Sequence, residues 1–348
     1  PPRSILFPYT TLFRSRSLSK TFARVHSNGH IPVQYCYYKT LINDAQGATN
    51  ATGYEDEALR FGLGHGWEIV SEMEINGTDT TNVEKVVPIM KKYSLSGNGT
   101  LASPYLINSE DDWNGLASNV FLGETYSGKY LQLTDDITVN RMIGTGTTDP
   151  SNNTYSFSGT FNGDGNTLTF DYSTNVGEDL IAPFRFVDGA TIQNLVVDGT
   201  IVAANKYAAG IIGRVDGNTT LSNCRSSIII NSSVSGVGGH GGLVGLVRTG
   251  SVLSIDGCLF DGKLLGSGTT HCGGLVGEAF KDENSSSTVN ITNSLCAPAE
   301  LTVDTTGSSA LVGISNGNTN ITSTNSYYTE TFGTAQGKQA RSISEGEG

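Results

Sequence analysis

The chain is short of charge. Asp, Glu, Lys and Arg make up 16% of its 348 residues, and acids outnumber bases 33 to 21, for a formal net charge of −12 at pH 7. A nucleic-acid partner would need a basic stripe, and this balance argues against one. Arg3, Arg14, Arg16, Lys20 and Arg24 all precede the first acid, Asp44, which leaves 16 bases against 33 acids from residue 25 onward. That acidity favours solubility and disfavours anionic membranes. Long apolar runs are missing as well. No stretch of eighteen apolar residues exists, so no segment is expected to span a bilayer as a helix. Cysteine is scarce and odd in number, five in all, which fits no closed disulfide framework. Within the repeat region, from residue 97 onward, neither a CxxC nor an HxxxH spacing occurs, so neither a zinc site nor any other cofactor is expected.

What the chain has in quantity is glycine, 44 residues, with much Asn, Ser and Thr, a composition closer to an extracellular β-rich repeat protein than to a cytosolic enzyme. The glycines are ordered. Gly241-Gly242-Leu243-Val244-Gly245 returns as Ala209-Gly210-Ile211-Ile212-Gly213, Gly273-Gly274-Leu275-Val276-Gly277 and Ser309-Ala310-Leu311-Val312-Gly313, with final glycines 32, 32 and 36 residues apart. Such spacing marks a solenoid of stacked supersecondary units, in which length does not fix the number of domains. A second block keeps the same order in each period: Ile192-Gln193-Asn194-Leu195, Leu221-Ser222-Asn223-Cys224, Ile255-Asp256-Gly257-Cys258, Ile291-Thr292-Asn293-Ser294 and Ile321-Thr322-Ser323-Thr324. Its third column, Asn194, Asn223, Gly257 and Asn293, exchanges Asn for Gly as a left-handed backbone turn tolerates, and reads as a bend between two faces of a coil.

Side-chain direction follows from the two-residue period of a strand. The column Arg214, Leu246, Glu278, Ile314 carries charge, whereas Val215, Val247, Ala279, Ser315 does not, so the second should face inward. Ile211, Leu243, Leu275 and Leu311 share its parity and are expected in the core. By the same count Ile212, Val244, Val276 and Val312 should point outward as an apolar stripe, with rungs about 4.8 Å apart, open to a partner or hidden by a loop. Cys224 and Cys258 share one column with Leu195 and Ser294, which suggests small buried fillers as free thiols rather than a disulfide or metal pair. His240 and His271 fall in different columns.

The flanks differ from the repeat. Phe7 to Ser15 resembles the translation of a sequencing-library adapter, so residues 1–15 are expected to be foreign and the lack of a secretory signal carries no weight. Residues 16–96 show no repeat and read as the remnant of an upstream module, with strands at Val33 to Tyr38 and Trp67 to Ile75, a helical turn or two at Gly53 to Phe61, and Pro88 against any long helix from Val83 to Tyr93. Residues 97–334 form the repeat region. Ser109 is a plausible N-cap, acids follow it, and Trp113, Leu116, Ala117 and Val120 form an apolar stripe, so a short helix should cover the open first rung. Three strands per rung need roughly 22–25 residues, and the surplus should bulge out at 232–239, 265–270, 281–288 and 305–308. Residues 335–348 read as a linker.

The Gly-Leu-hydrophobic-Gly cores at Gly242–Gly245 and Gly274–Gly277 resemble the GLUG-motif family of bacterial surface proteins over about residues 97–332. The resemblance implies an all-β, right-handed parallel β-helix of the pectate-lyase-like kind, in a secreted or wall-attached chain with other modules. It implies a non-catalytic stalk or adhesive surface for extracellular protein or glycan ligands. The rival is a carbohydrate-active β-helix enzyme, a polysaccharide lyase or glycoside hydrolase. Its best candidates are Asp198 and Asp261, which share a column two rungs, about 9.6 Å, apart with Ser227 between them and no base in that column. As Asp-Gly pairs they are also ordinary turn residues.

Overall fold

The computed structural model describes residues 92–145, 155–173, 178–280, 285–315 and 319–340, and the backbone of four strands before them: Tyr37–Tyr38, Thr49–Asn50, Trp67–Asn76 and Asp79–Pro88. The chain divides into two compact units, Pro1–Lys91 and Lys92–Gly348. In the first, Trp67–Asn76 and Asp79–Pro88 pair antiparallel along their whole length, from Trp67 with Pro88 to Asn76 with Asp79. A strand therefore ends at Pro88, where its missing N–H does least harm. The expected turns at Gly53 to Phe61 lie outside the described residues.

The second unit is an all-β, right-handed parallel β-helix. Four strands make up a full rung, one more than the residue count suggested. In the central rung these are Val244–Val247 on face 1, Val252–Asp256 on face 2, Leu259–Phe260 on face 3 and Lys263–Leu265 on face 4. Faces 1 and 4 hold five stacked strands each and faces 2 and 3 hold eight each. Register is strict. Leu221 pairs with Ile255 and Ile255 with Ile291, while Ile212, Val244, Val276 and Val312 pair in sequence. The surplus loops stack too, since Gly236–Val237 and Thr269–Thr270 pair parallel across two rungs.

Two devices turn the corners. Asn194, Asn223, Gly257 and Asn293 have φ of 52°, 52°, 62° and 50°, in the left-handed region that Asn and Gly enter at least cost. The asparagine side chains also link rungs, Asn194 Nδ2 donating to Asn162 Oδ1 at 2.9 Å and Asn293 Nδ2 to Asp256 Oδ1 at 2.9 Å. The column runs on to Asn325, φ 47°. This corrects the fifth block, because Ile321 pairs with Val289 and it is Ser323 that lies on Ile291. The second device is the motif's last glycine. A Cβ on Gly277 would lie 1.9 Å from the Gly239 carbonyl oxygen and 2.7 Å from that of Gly245, so the loop and the neighbouring rung both touch the bare backbone there.

The ends are closed differently. The helix Glu110–Phe121 has Ser109 as its N-cap, accepting from the Asp112 amide at 3.2 Å. Its Trp113 is fully buried, edge-on to Phe161 at 6.0 Å and Phe184 at 5.4 Å, and its Nε1 donates to the Arg141 carbonyl at 2.7 Å. At the other end residues 335–340, expected as linker, are part of the fold. Lys338–Gln339 pairs with Tyr327–Tyr328, and Gln336 Oε1 accepts from the Leu311 and Val312 amides at 3.2 and 2.6 Å.

Gly277→Ala should cost about 3 kcal/mol, at the upper end of overpacking, because backbone oxygen cannot rotate away. Asn223→Ala should cost about 1 kcal/mol through its left-handed φ, and Asn223→Gly should be nearly neutral. Urea midpoints of the three variants check this order.

Candidate functional site

The sequence-derived stripe is not a surface. Ile212, Val244, Val276 and Val312 are each 0% exposed and lie in the same core as Ile211, Leu243, Leu275 and Leu311. The cause is a bulge repeated in every motif. The Ile211 and Ile212 amides both donate to the Leu243 carbonyl, at 3.0 Å each. Leu243 and Val244 share the Leu275 carbonyl at 2.9 Å, and Leu275 and Val276 share that of Leu311 at 2.9 and 2.8 Å. Two residues thus occupy one ladder position, alternation slips, and both side chains turn inward.

Beyond the bulge the outward column is Phe186, Arg214, Leu246 and Glu278, and loops cover it. Leu180 and half-buried Tyr207 pack on Phe186 and Leu246. Both covering residues have left-handed φ, 58° and 64°. Arg214, 2% exposed, lies 5.1 Å from the Phe186 ring centre and binds Asp216 through Nε at 2.8 Å and Nη2 at 3.2 Å. Glu278 is hydrogen-bonded by Tyr207, and burial pushes its carboxyl above the usual range. This charged layer stays closed, so it supports the loops rather than a ligand.

The interior holds a second polar device. His240 is fully buried; its Nδ1 accepts from the Ala208 amide at 3.1 Å, so the proton sits on Nε2, 2.8 Å from Ser232 Oγ. Ser232 Oγ is 3.0 Å from Thr269 Oγ1, which donates to the Val234 carbonyl at 2.8 Å. Burial lowers the His240 pKa to about 4. His271 is elsewhere, bonded to Thr270 Oγ1 at 2.7 Å. Cys224 and Cys258, each 2% exposed, are free thiols in a column continued by Ser294 and Ser326.

On face 3, Asp261 is occupied. Arg225 Nη2 lies 2.7 Å from its Oδ2, and Ser227 Oγ donates to its Oδ1 at 2.7 Å. The base for Asp261 comes from a different column. Arg225 lies two residues earlier on the adjoining strand and reaches Asp261 diagonally. Asp198 takes no part in this cluster, and its buried Oδ1 has no hydrogen-bond partner.

The open surface is face 2. Its first outward column passes through Thr160, Thr191, Thr220, Ser254, Asn290 and Thr322. The second passes through Gln132, Asn162, Gln193, Ser222, Asp256, Thr292 and Thr324. Only Asp256 among these thirteen is ionisable, and bonds from Thr292 Oγ1 at 2.6 Å and Asn293 Nδ2 at 2.9 Å hold its carboxyl below the usual range. Thr322 Oγ1 donates to Asn290 Oδ1 at 2.8 Å. The result is a flat wall of hydroxyls and amides, ordered by the ladder beneath it. The composition carried this signal, but only the register shows that the polar residues align.

No protein-family model matches the chain, and no curated protein matches it. Among solved structures, a putative immunoglobulin A1 protease from Bacteroides ovatus is similar, at 18% identity and a TM-score of 0.47, over 72% of this chain and 87% of that one. A likeness of that strength carries no argument about what this chain does.

Val244→Lys should lose roughly 4 kcal/mol or fail to fold, as a buried unpaired charge does, while Thr191→Lys on face 2 should stay within about 0.5 kcal/mol. Thermal melts of the pair decide it. His240 is neutral in the fold and protonates more readily in the unfolded chain, at its ordinary value of 6.5. Its contribution is therefore complete above that value and falls away as pH drops toward 4, by on the order of 3 kcal/mol over the window. His240→Gln should start less stable at pH 7 and show a flatter decline to pH 4 in urea midpoints.

Proposed function

We propose that this chain is a non-catalytic, secreted or cell-surface repeat protein of GLUG type, in which the β-helix is a stiff stalk and an adhesive surface for extracellular protein or glycan ligands. The observation that carries this is face 2, where two nearly uncharged columns of hydroxyls and amides repeat at the rung spacing of about 4.8 Å. Neutral polar groups fixed by the backbone lose little entropy on meeting a polar polymer, and many weak contacts in a row add up through multivalency. The Gly-Leu-Val-Gly cores at Gly242–Gly245 and Gly274–Gly277 carry the GLUG assignment.

The rival, a carbohydrate-active β-helix enzyme, rests on Asp198 and Asp261. Glycosidic hydrolysis needs one carboxyl free to give a proton and another free to activate water or attack. Asp261 spends both oxygens on Arg225 and Ser227, and its column mate is two rungs away. Removing Arg225 would free it; nothing else in the cluster supplies a second acid.

The full chain, applied to immobilised neutral and acidic polysaccharides and to extracellular-matrix proteins, should be retained by at least one of them without releasing product. Thr191→Lys with Asn290→Lys should weaken retention about tenfold and leave the melting temperature unchanged. A time-dependent release of reducing ends or unsaturated uronate, lost in Asp261→Asn, would overturn the reading in favour of the enzyme.

A further inference from the structure

Cys224 and Cys258 face each other across adjacent rungs. The register fixes this from both sides, since Leu221 lies on Ile255 three residues earlier and Arg225 lies on Leu259 one residue later. Neighbouring strands are about 4.8 Å apart, inside the Cα separation of roughly 4.4–6.8 Å that a disulfide spans. The two thiols are close enough to shift each other's ionisation, Cys224 upward and Cys258 downward. Each also rests on carbonyls in the same way: Cys224 Sγ is 3.2 Å from the Ser222 oxygen and 3.6 Å from that of Ile192, and Cys258 Sγ is 3.4 Å from Asp256 and 3.5 Å from Leu221. The remaining buried thiols, Cys272 and Cys296, lie outside this column. Cys272 follows the left-handed His271 and bonds the Thr270 carbonyl, and Cys296 pairs with Phe260 on face 3.

We infer that Cys224 and Cys258 are a cross-rung dithiol that closes to a disulfide when the chain folds in the presence of a small-molecule disulfide, and so staples the corner at Asn223 to the corner at Gly257. One thiolate attacks a sulfur of the oxidant and expels a thiolate, giving a mixed disulfide. The second protein thiolate then displaces the remaining half. Two protein thiols lose two protons and two electrons, and the oxidant leaves as two thiols. Both sulfurs are 2% exposed in the finished rung, so closure belongs to the folding chain, and the native dithiol is shielded from reagent. The closed loop spans 34 residues, long enough for a cross-link to restrict the unfolded chain. The inference does not rest on the proposed function; it needs only an oxidising environment during folding.

The test is to refold the full chain in oxidised and reduced glutathione, denature it, alkylate free thiols and map peptides by mass. Expected is one cross-linked peptide pair joining Cys224 to Cys258, with Cys36, Cys272 and Cys296 alkylated, and a higher unfolding midpoint than the reduced protein. Cys224→Ser and Cys258→Ser should each abolish the cross-link and the midpoint shift while still folding, because serine already fills this column at Ser294 and Ser326. Five alkylated cysteines in the wild type, or cross-links distributed among other pairs, would overturn it. So would a midpoint shift that persists in either serine variant.

Discussion

Everything in this protein depends on one approach distance, the spacing of about 4.8 Å at which each rung's backbone hydrogen-bonds the next. A parallel ladder closes on all four faces only if the corners between them have the same shape in every rung. The corners are where the chain bends most and where a side chain does most harm. Gly277, caught between the carbonyls of Gly239 and Gly245, shows the constraint directly. Asn223 and Gly257 show its counterpart, a φ that most residues avoid, stabilised by side-chain amides passing from one rung to the next. The period of the sequence is the imprint of those two corners; the strands between them vary far more freely.

That explains what was legible. The spacing of the Gly-Leu-Val-Gly cores, the Asn/Gly exchange, and the Ser109 cap ahead of Trp113 are local demands that only a few residue types meet, so the letters report them. The direction of Val244 was not legible by parity, because parity assumes one residue per ladder position and the bulge places two. A signal did exist. An alternating half-buried strand would not place two adjacent large apolar residues, Leu then Val or Ile then Ile, in all four motifs. The fourth face was missed because strands as short as Lys263–Leu265 leave no periodicity to count. Gln336 was missed because one glutamine in a polar tail looks like any other.

Burial and openness are distributed by face. Face 1 hides its outward charges under loops, with Tyr207 reaching Glu278 and Arg214 stacked over Phe186. Face 3 carries half-buried apolar residues beside an ion pair that ties two rungs together through Arg225 and Asp261. Among the described residues face 2 has no charge pair, and its two columns carry a single carboxylate, Asp256, although the chain as a whole is strongly acidic. A surface kept nearly free of charge in an acidic protein is selective by omission: it repels a polyanion little, attracts a polycation little, and leaves recognition to hydrogen-bond geometry.

The two ends show the same constraint from the opposite side. A last rung presents amides with no partner, which invites another chain to pair. At the N-terminal end a helix solves this with bulk, setting Trp113 against Phe161 and Phe184, which also pack on each other, with Phe157 against Phe184. At the far end the solution is chemical imitation. In three motifs the paired amides of the bulge find a leucine carbonyl in the next rung; in the fourth, Leu311 and Val312 find the side-chain oxygen of Gln336 instead. An amide side chain carries the same C=O group as a peptide, so it completes the ladder without continuing it. The bulge that buries Val312 and the glutamine that ends the rod are therefore one feature, since the bulge creates a double acceptor position that only a carbonyl-like group can fill.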